Sequence, residues 1–105
     1  EKTLTKWYTA LEKTKNKIVL YNNNVPLLPY FSCSAGFTYS ANEKRWRNDT
    51  PYLKSKFDLW ICQDKKFAGH WVGLSWLGAE RRAKFGWSYT DILRYYYPGI
   101  VIENL

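Results

Sequence analysis

The stretch Gly69–Gly99, GHWVGLSWLGAERRAKFGWSYTDILRYYYPG, decides how the rest of the chain is read. Twice within it the pattern takes a helical period. Ser75 suits an N-cap, Trp76, Ala79 and Ala83 share a face, and Gly86 stands where a C′ glycine belongs, which predicts a helix over Ser75–Phe85. Ser88 followed by Asp91 resembles a capping box with Asp in place of Glu, Tyr89, Ile92, Leu93 and Tyr96 form an apolar face, and Pro98-Gly99 closes this second helix. The following IVIENL reads as a closing strand.

Upstream, Leu4, Trp7, Tyr8 and Leu11 recur at helical spacing and predict a short helix over Lys2–Thr14. Ile18–Tyr21 reads as a strand, Asn22-Asn23-Asn24 as a turn, because Asn tolerates positive φ, and Val25–Phe31 as a second strand. Pro26 and Pro29 place that strand at an edge or give it a bulge. The small residues Ser32, Ser34, Ala35 and Gly36 open a loop whose backbone can closely approach a ligand or a packed neighbour. RNDTPYLKSKFD reads as a turn and a short extended segment, LWICQ as a short apolar strand, and KKFAGHWVGLS as a strand entering a tight loop. The expected class is α+β: antiparallel strands and a hairpin, two late helices, a closing strand, in a single domain over 1–105 or part of one.

Six Trp, nine Tyr and five Phe exceed what a small core needs, so the surplus points to a surface for sugars, bases or another protein. The formal charge of +7 favours anionic partners. No apolar run approaches the roughly 18–20 residues of a membrane span, and Glu1-Lys2-Thr3-Leu4-Thr5 lacks the apolar run of a signal peptide. With no Met anywhere, the chain reads as a processed product or a piece of a longer protein. Cys33 and Cys62 leave two readings open, a disulfide or two buried thiols; with His70 as the single histidine they are too few for a structural zinc site. No cofactor is expected. The sequon Asn48-Asp49-Thr50 matters only in a eukaryotic secretory setting and is discounted.

A Ser75–His70–Asp58 triad can be drawn, but nothing in the spacing demands it. Most carboxylates sit beside Lys or Arg in polar stretches and read as solvated. Asp58, between Phe57 and Leu59, is the acid expected to be partly buried, more as a structural group than a catalyst. His70, set among glycines ahead of a helix start, is a candidate binding residue, since free N–H groups at such a start favour anions or sugar oxygens. Single-stranded nucleic acid is the weaker reading of the charge and aromatics, for no RNP-like or zinc-finger motif is present.

GHWVGLSWLGA and RAKFGWSYTDILRYYYPG resemble, without a gap, the GHGVGMSQxGA and MAKxGxSYxxILxxYYPG signature of the SpoIID/LytB domain family. Upstream, NKIVLYNNNVPLLPYFSCSAGFT resembles the family's strand, turn, strand and serine loop, and RWRNDTPYLKSKFD its PYLxSVxD segment; the likeness runs from about Lys13 to Ile102. Three positions depart: Trp71 replaces a glycine, Trp76 a glutamine and Phe31 a histidine. The resemblance implies peptidoglycan work outside the cytoplasm, by lytic transglycosylases that cut glycan strands or by proteins that stimulate amidases. It implies pairing of Cys33 with Cys62, and a glycan-binding part for Ser32, Ser34, Gly69, His70, Gly73 and Ser75; the departures Trp71 and Trp76 are expected to stack on sugar faces beside them. The family's catalytic glutamate and its Cys/His cluster belong to an N-terminal segment that this sequence does not contain, so no catalytic residue and no metal ligand is carried over. That missing part, an amidase or another envelope protein are the implied protein partners.

Overall fold

A computed structural model describes residues 2–46, 50–62 and 69–105. Asn48 and Asp49 of the sequon and part of the expected KKFAGHWVGLS strand lie outside the described residues. The chain forms two compact units, one of residues up to Pro26 with Val101–Leu105, the other Leu27–Ile100.

In the first unit, helix α1 covers Lys2–Thr14 as its spacing predicts. Strand β1, Lys17–Leu20, pairs antiparallel with the closing strand, Val101–Asn104. The turn after β1 is tight: Tyr21 and Asn24 exchange both backbone hydrogen bonds, at 2.9 and 3.1 Å, around Asn22 and Asn23 at φ 50° and 65°. Two successive positive φ values are why asparagine is there. The hairpin ends at that single bridge, and the expected strand over Val25–Phe31 shrinks to β2, Tyr30–Phe31. Pro26 and Pro29 have no N–H to give a ladder.

In the second unit, β2 lies parallel to β3, Leu74–Ser75, with Tyr30 opposite Leu74 and Phe31 opposite Ser75. Helix α2, Trp76–Lys84, follows at once. Ser75 caps it by accepting from the Gly78 N–H at 3.0 Å. Its far end is a Schellman motif: Gly86, at φ 98°, bonds Ala83 O, and Trp87 N–H bonds Arg82 O, both at 3.0 Å. Helix α3, Tyr89–Tyr96, is capped by Ser88, which accepts from Asp91 N–H at 3.2 Å. The closing strand is therefore β4. Of the expected LWICQ strand, the described residues 59–62 form a single bridge, Ile61 to Ser34, rather than a strand.

The Trp76–Ala79–Ala83 face of α2 is the open one; its buried residues are Gly78 and Arg82. Beneath Gly78 lies Asp58, fully buried, accepting from Ser34 Oγ at 2.7 Å and from Tyr96 Oη at 2.8 Å. A side chain at Gly78 would overlap both the Asp58 carboxylate and the Tyr96 hydroxyl, so the helix comes this close only with glycine. Arg82 donates from Nε to Tyr96 Oη and from Nη2 to Phe57 O, each at 3.4 Å, and its guanidinium lies 3.9 Å from the Tyr95 ring centroid and 4.7 Å from that of Trp87. Burial pushes the Tyr96 and Tyr97 phenols well above the ordinary tyrosine range, so both stay neutral hydrogen-bonding groups.

Candidate functional site: an aromatic groove at the start of helix α2

Parallel pairing of β2 with β3 brings the small-residue loop against the start of α2. Leu77 N–H donates to Ser32 O at 2.9 Å and Leu74 N–H to Pro29 O at 3.2 Å. Between them opens a groove of about 520 Å³ lined by Tyr30, Phe31, Ser32 and Trp76. A second groove of about 410 Å³ is lined by Leu74, Trp76, Ala79 and Glu80. Trp76 lines both and is 55% exposed, so one indole borders the two hollows. Cys33, next to Ser32, is joined to Cys62 in a disulfide that ties the loop to the 57–62 segment. Among the described residues no cluster of His, Cys, Asp or Glu could hold a metal ion.

The site residues named from sequence separate into two sets. Ser32 and Trp76 are on the groove surface. Ser34 and Ser75 are fully buried, one bonding Asp58 and the other capping α2, and Gly73 is buried against the Pro29 carbonyl. These three build the groove without facing it. The N–H groups expected to be free at the helix start are partly spent, since Leu77 bonds Ser32 O and Gly78 bonds Ser75 Oγ.

Gly69, at φ 109°, turns the chain beside Phe31, and His70 follows. The imidazole packs edge-on against Phe31 at 6.0 Å and Trp46 at 5.2 Å. Its Nδ1 accepts from Val72 N–H at 2.9 Å, which requires that nitrogen to be unprotonated. Burial holds the His70 pKa below its ordinary value; a hydrogen bond with the Tyr30 main chain opposes this, and the Lys44 charge adds to it. The triad drawn on paper is not assembled: Asp58 bonds Ser34 and Tyr96, Ser75 caps the helix, and His70 Nδ1 is taken by the backbone.

A histidine that binds fewer protons folded than unfolded makes stability rise with pH between the two values. Its contribution is complete above the unfolded value of about 6.5 and is lost as pH falls through the lower folded value. Melting temperature is therefore expected to drop on acidification from about pH 6.5 down through the folded value, with a shallower slope in the same window for His70→Gln. An unchanged slope would contradict this protonation state.

Trp71 sits at φ 61°, in the left-handed region, its ring stacked on Tyr39 at 5.8 Å and 9°. A left-handed backbone explains why the related pattern carries glycine at this position. Tyr39 also carries Lys44, whose Nζ is 4.4 Å from the ring centroid. The loop bearing Lys44 and Trp46 is held by a reciprocal pair, Ser40 N–H to Glu43 Oε1 at 2.8 Å and Glu43 N–H to Ser40 Oγ at 3.0 Å. The Ser40 N–H donated to the carboxylate, with the Ser40 hydroxyl beside it, keeps Glu43 below the usual carboxylate range. Tyr30, Phe31, Tyr39, Lys44 and Trp46 were not named as site residues from sequence. Phe31 alone carried a signal, as an aromatic in place of the family's histidine.

No family profile matches the chain. Individual proteins do. It is 36% identical over 86 residues, 82% of its length, to the stage II sporulation protein D of Bacillus subtilis (strain 168). The chain is SpoIID/LytB-like. It is also 50% identical over 36 residues, 34% of its length, to the amidase enhancer of the same organism. The SpoIID/LytB-like chain spans 24% of the length of the first relative and 5% of the second. By name, then, its relatives are a sporulation protein and an enhancer of an amidase. No helix among the described residues is long and apolar enough to cross a membrane.

Proposed function

We propose that the groove beside Trp76 binds glycan strands of peptidoglycan, and that the chain is the C-terminal part of a SpoIID-type domain that remodels the cell wall outside the cytoplasm. The observation that carries this reading is the indole of Trp76, 55% exposed and bordering two hollows, with Tyr30, Phe31 and Ser32 as the wall of the larger. An exposed aromatic face stacks on the apolar face of a sugar ring, and hydroxyls at its edge exchange hydrogen bonds with ring substituents. The +7 charge would concentrate the chain near anionic wall polymers. Ser34, Gly73 and Ser75 serve this reading by holding the groove in shape, and His70 supports it by packing edge-on against Phe31. Strand cleavage, of the lytic transglycosylase kind, belongs to the proposal only for a longer protein that supplies the catalytic acid.

A second reading rests on the 50% identity to the amidase enhancer. In it Trp71 and Trp76 are contacts for an amidase or another envelope protein, since Trp is enriched at binding hot spots.

Co-sedimentation with purified glycan strands tests the choice. The chain is expected to pellet with strands stripped of peptides, and Trp76→Ala to weaken that retention by about tenfold, the loss of roughly 1.4 kcal/mol, with little change in folding because the side chain is exposed. Equal retention of the two proteins would remove Trp76 from the site. No retention of either would favour the protein-contact reading.

A further inference from the structure

At the opposite end of helix α2 from Trp76 lies a second aromatic surface. Residues 57–62 are extended and alternate, but in the inverse sense from a surface strand. The polar Asp58 points in, while Phe57, Leu59 and Ile61 point out, at 78%, 72% and 52% exposure. Trp60 touches Phe85, which is 75% exposed, at 6.1 Å between ring centroids. Phe85 borders a groove of about 490 Å³ whose walls include Trp87 and Tyr95. Tyr95 joins this groove to the extended segment, for its hydroxyl donates to Phe57 O at 2.5 Å. Scattered exposed apolar residues are ordinary, but a continuous group of large ones around a groove marks an interaction site.

The charges around this surface say what would cover it. Lys56 Nζ lies 5.4 Å from the Tyr95 ring centroid, and Arg94 lines the groove itself. Lys54, two residues before Lys56 in the extended segment, is exposed. Against these stands Asp91 on the groove wall; Glu80, on the neighbouring helix, is already paired with Lys84 at 3.7 Å. The rim is thus net basic on a chain of charge +7, which disfavours a second copy of the same chain. We infer that the Phe57–Leu59–Phe85 surface and its groove dock an acidic segment of another protein, with an apolar side chain of that segment anchored between Phe85, Trp87 and Tyr95. This surface is independent of the glycan reading.

A fluorescein-labelled peptide of alternating Glu and Leu with one central Phe, and a counterpart with Lys for every Glu, provide the probes. Anisotropy titrations at low salt are expected to show the acidic peptide binding at least tenfold tighter than the basic one. Leu59→Glu and Phe85→Glu should each weaken it tenfold or more, as should Lys56→Glu, while Trp76→Ala should leave it unchanged. Leu59 and Phe85 are exposed, and Lys56, though half-buried, is bonded to Thr38 through its main chain alone, so circular dichroism should show the fold intact. Equal affinity for the two peptides, absence of saturable binding, or self-association of the chain that Phe85→Glu abolishes would each overturn the inference.

Discussion

Asp58→Ala is expected to destabilise the second unit by about 3–5 kcal/mol, because it breaks a buried charged network by removing one member. The Asp58 carboxylate is the acceptor for Ser34 Oγ at 2.7 Å and Tyr96 Oη at 2.8 Å, and all three residues are buried. Each hydroxyl left without its acceptor costs about 1–3 kcal/mol. Arg82, bonded to the same Tyr96 hydroxyl, would also lose the nearby negative charge. Asp58→Asn should cost much less, since the amide keeps one acceptor oxygen and the Ser34 hydroxyl can turn to accept. Urea midpoints of the two variants check this. If Asp58→Ala were within about 0.5 kcal/mol of the parent, in the range of an ordinary surface change, the network would not be what holds α2 to the 57–62 segment.

Gly73→Ala is expected to rival it. Gly73 has φ 89°, and a Cβ there would overlap the Pro29 carbonyl. That carbonyl cannot step aside easily, because it already accepts from Leu74 N–H at 3.2 Å and Tyr97 Oη at 2.5 Å. The backbone strain is about 1–2 kcal/mol, and overpacking adds about 1–3 kcal/mol. Gly86→Ala is the control: its φ is 98°, yet no atom lies within 4 Å of the added carbon, so only the backbone cost applies. The difference between the two denaturation midpoints isolates the overlap with Pro29. Because Pro29 leads into β2, Gly73→Ala should also weaken glycan retention, and Gly86→Ala should not.

What the sequence made legible was local. Ser75, Gly86 and Ser88 mark the ends of α2 and α3 because caps and left-handed stops act within a few residues. The Asn22–Asn23 turn is legible for the same reason. The partner of β1 is β4 and that of β2 is β3, pairings set by distant parts of the chain that periodicity does not encode. Over Val25–Phe31 the apolar residues suit a strand while Pro26 and Pro29 deny it a ladder, and only Tyr30–Phe31 pairs. At the candidate site, Trp76 was legible as a bulky aromatic in a small-residue signature. The role of Ser34 was not, since it depends on a hydrogen bond to Asp58, 24 residues away in sequence. Nor was the inward turn of Arg82, because a charged residue is ordinarily placed outside, and its burial rests on the rings of Trp60, Trp87, Tyr95 and Tyr96 and on hydrogen bonds to Tyr96 Oη and Phe57 O.

One indole carries the glycan site. With the tryptophan side chains labelled with nitrogen-15, each indole N–H gives its own resonance, assigned by single substitutions. Titration with soluble peptidoglycan glycan oligosaccharides is predicted to shift the Trp76 resonance saturably while Trp60 and Trp87, at the other end of α2, stay in place. A titration that leaves Trp76 unmoved, or moves only Trp60 and Trp87, would contradict a glycan site in the groove beside it.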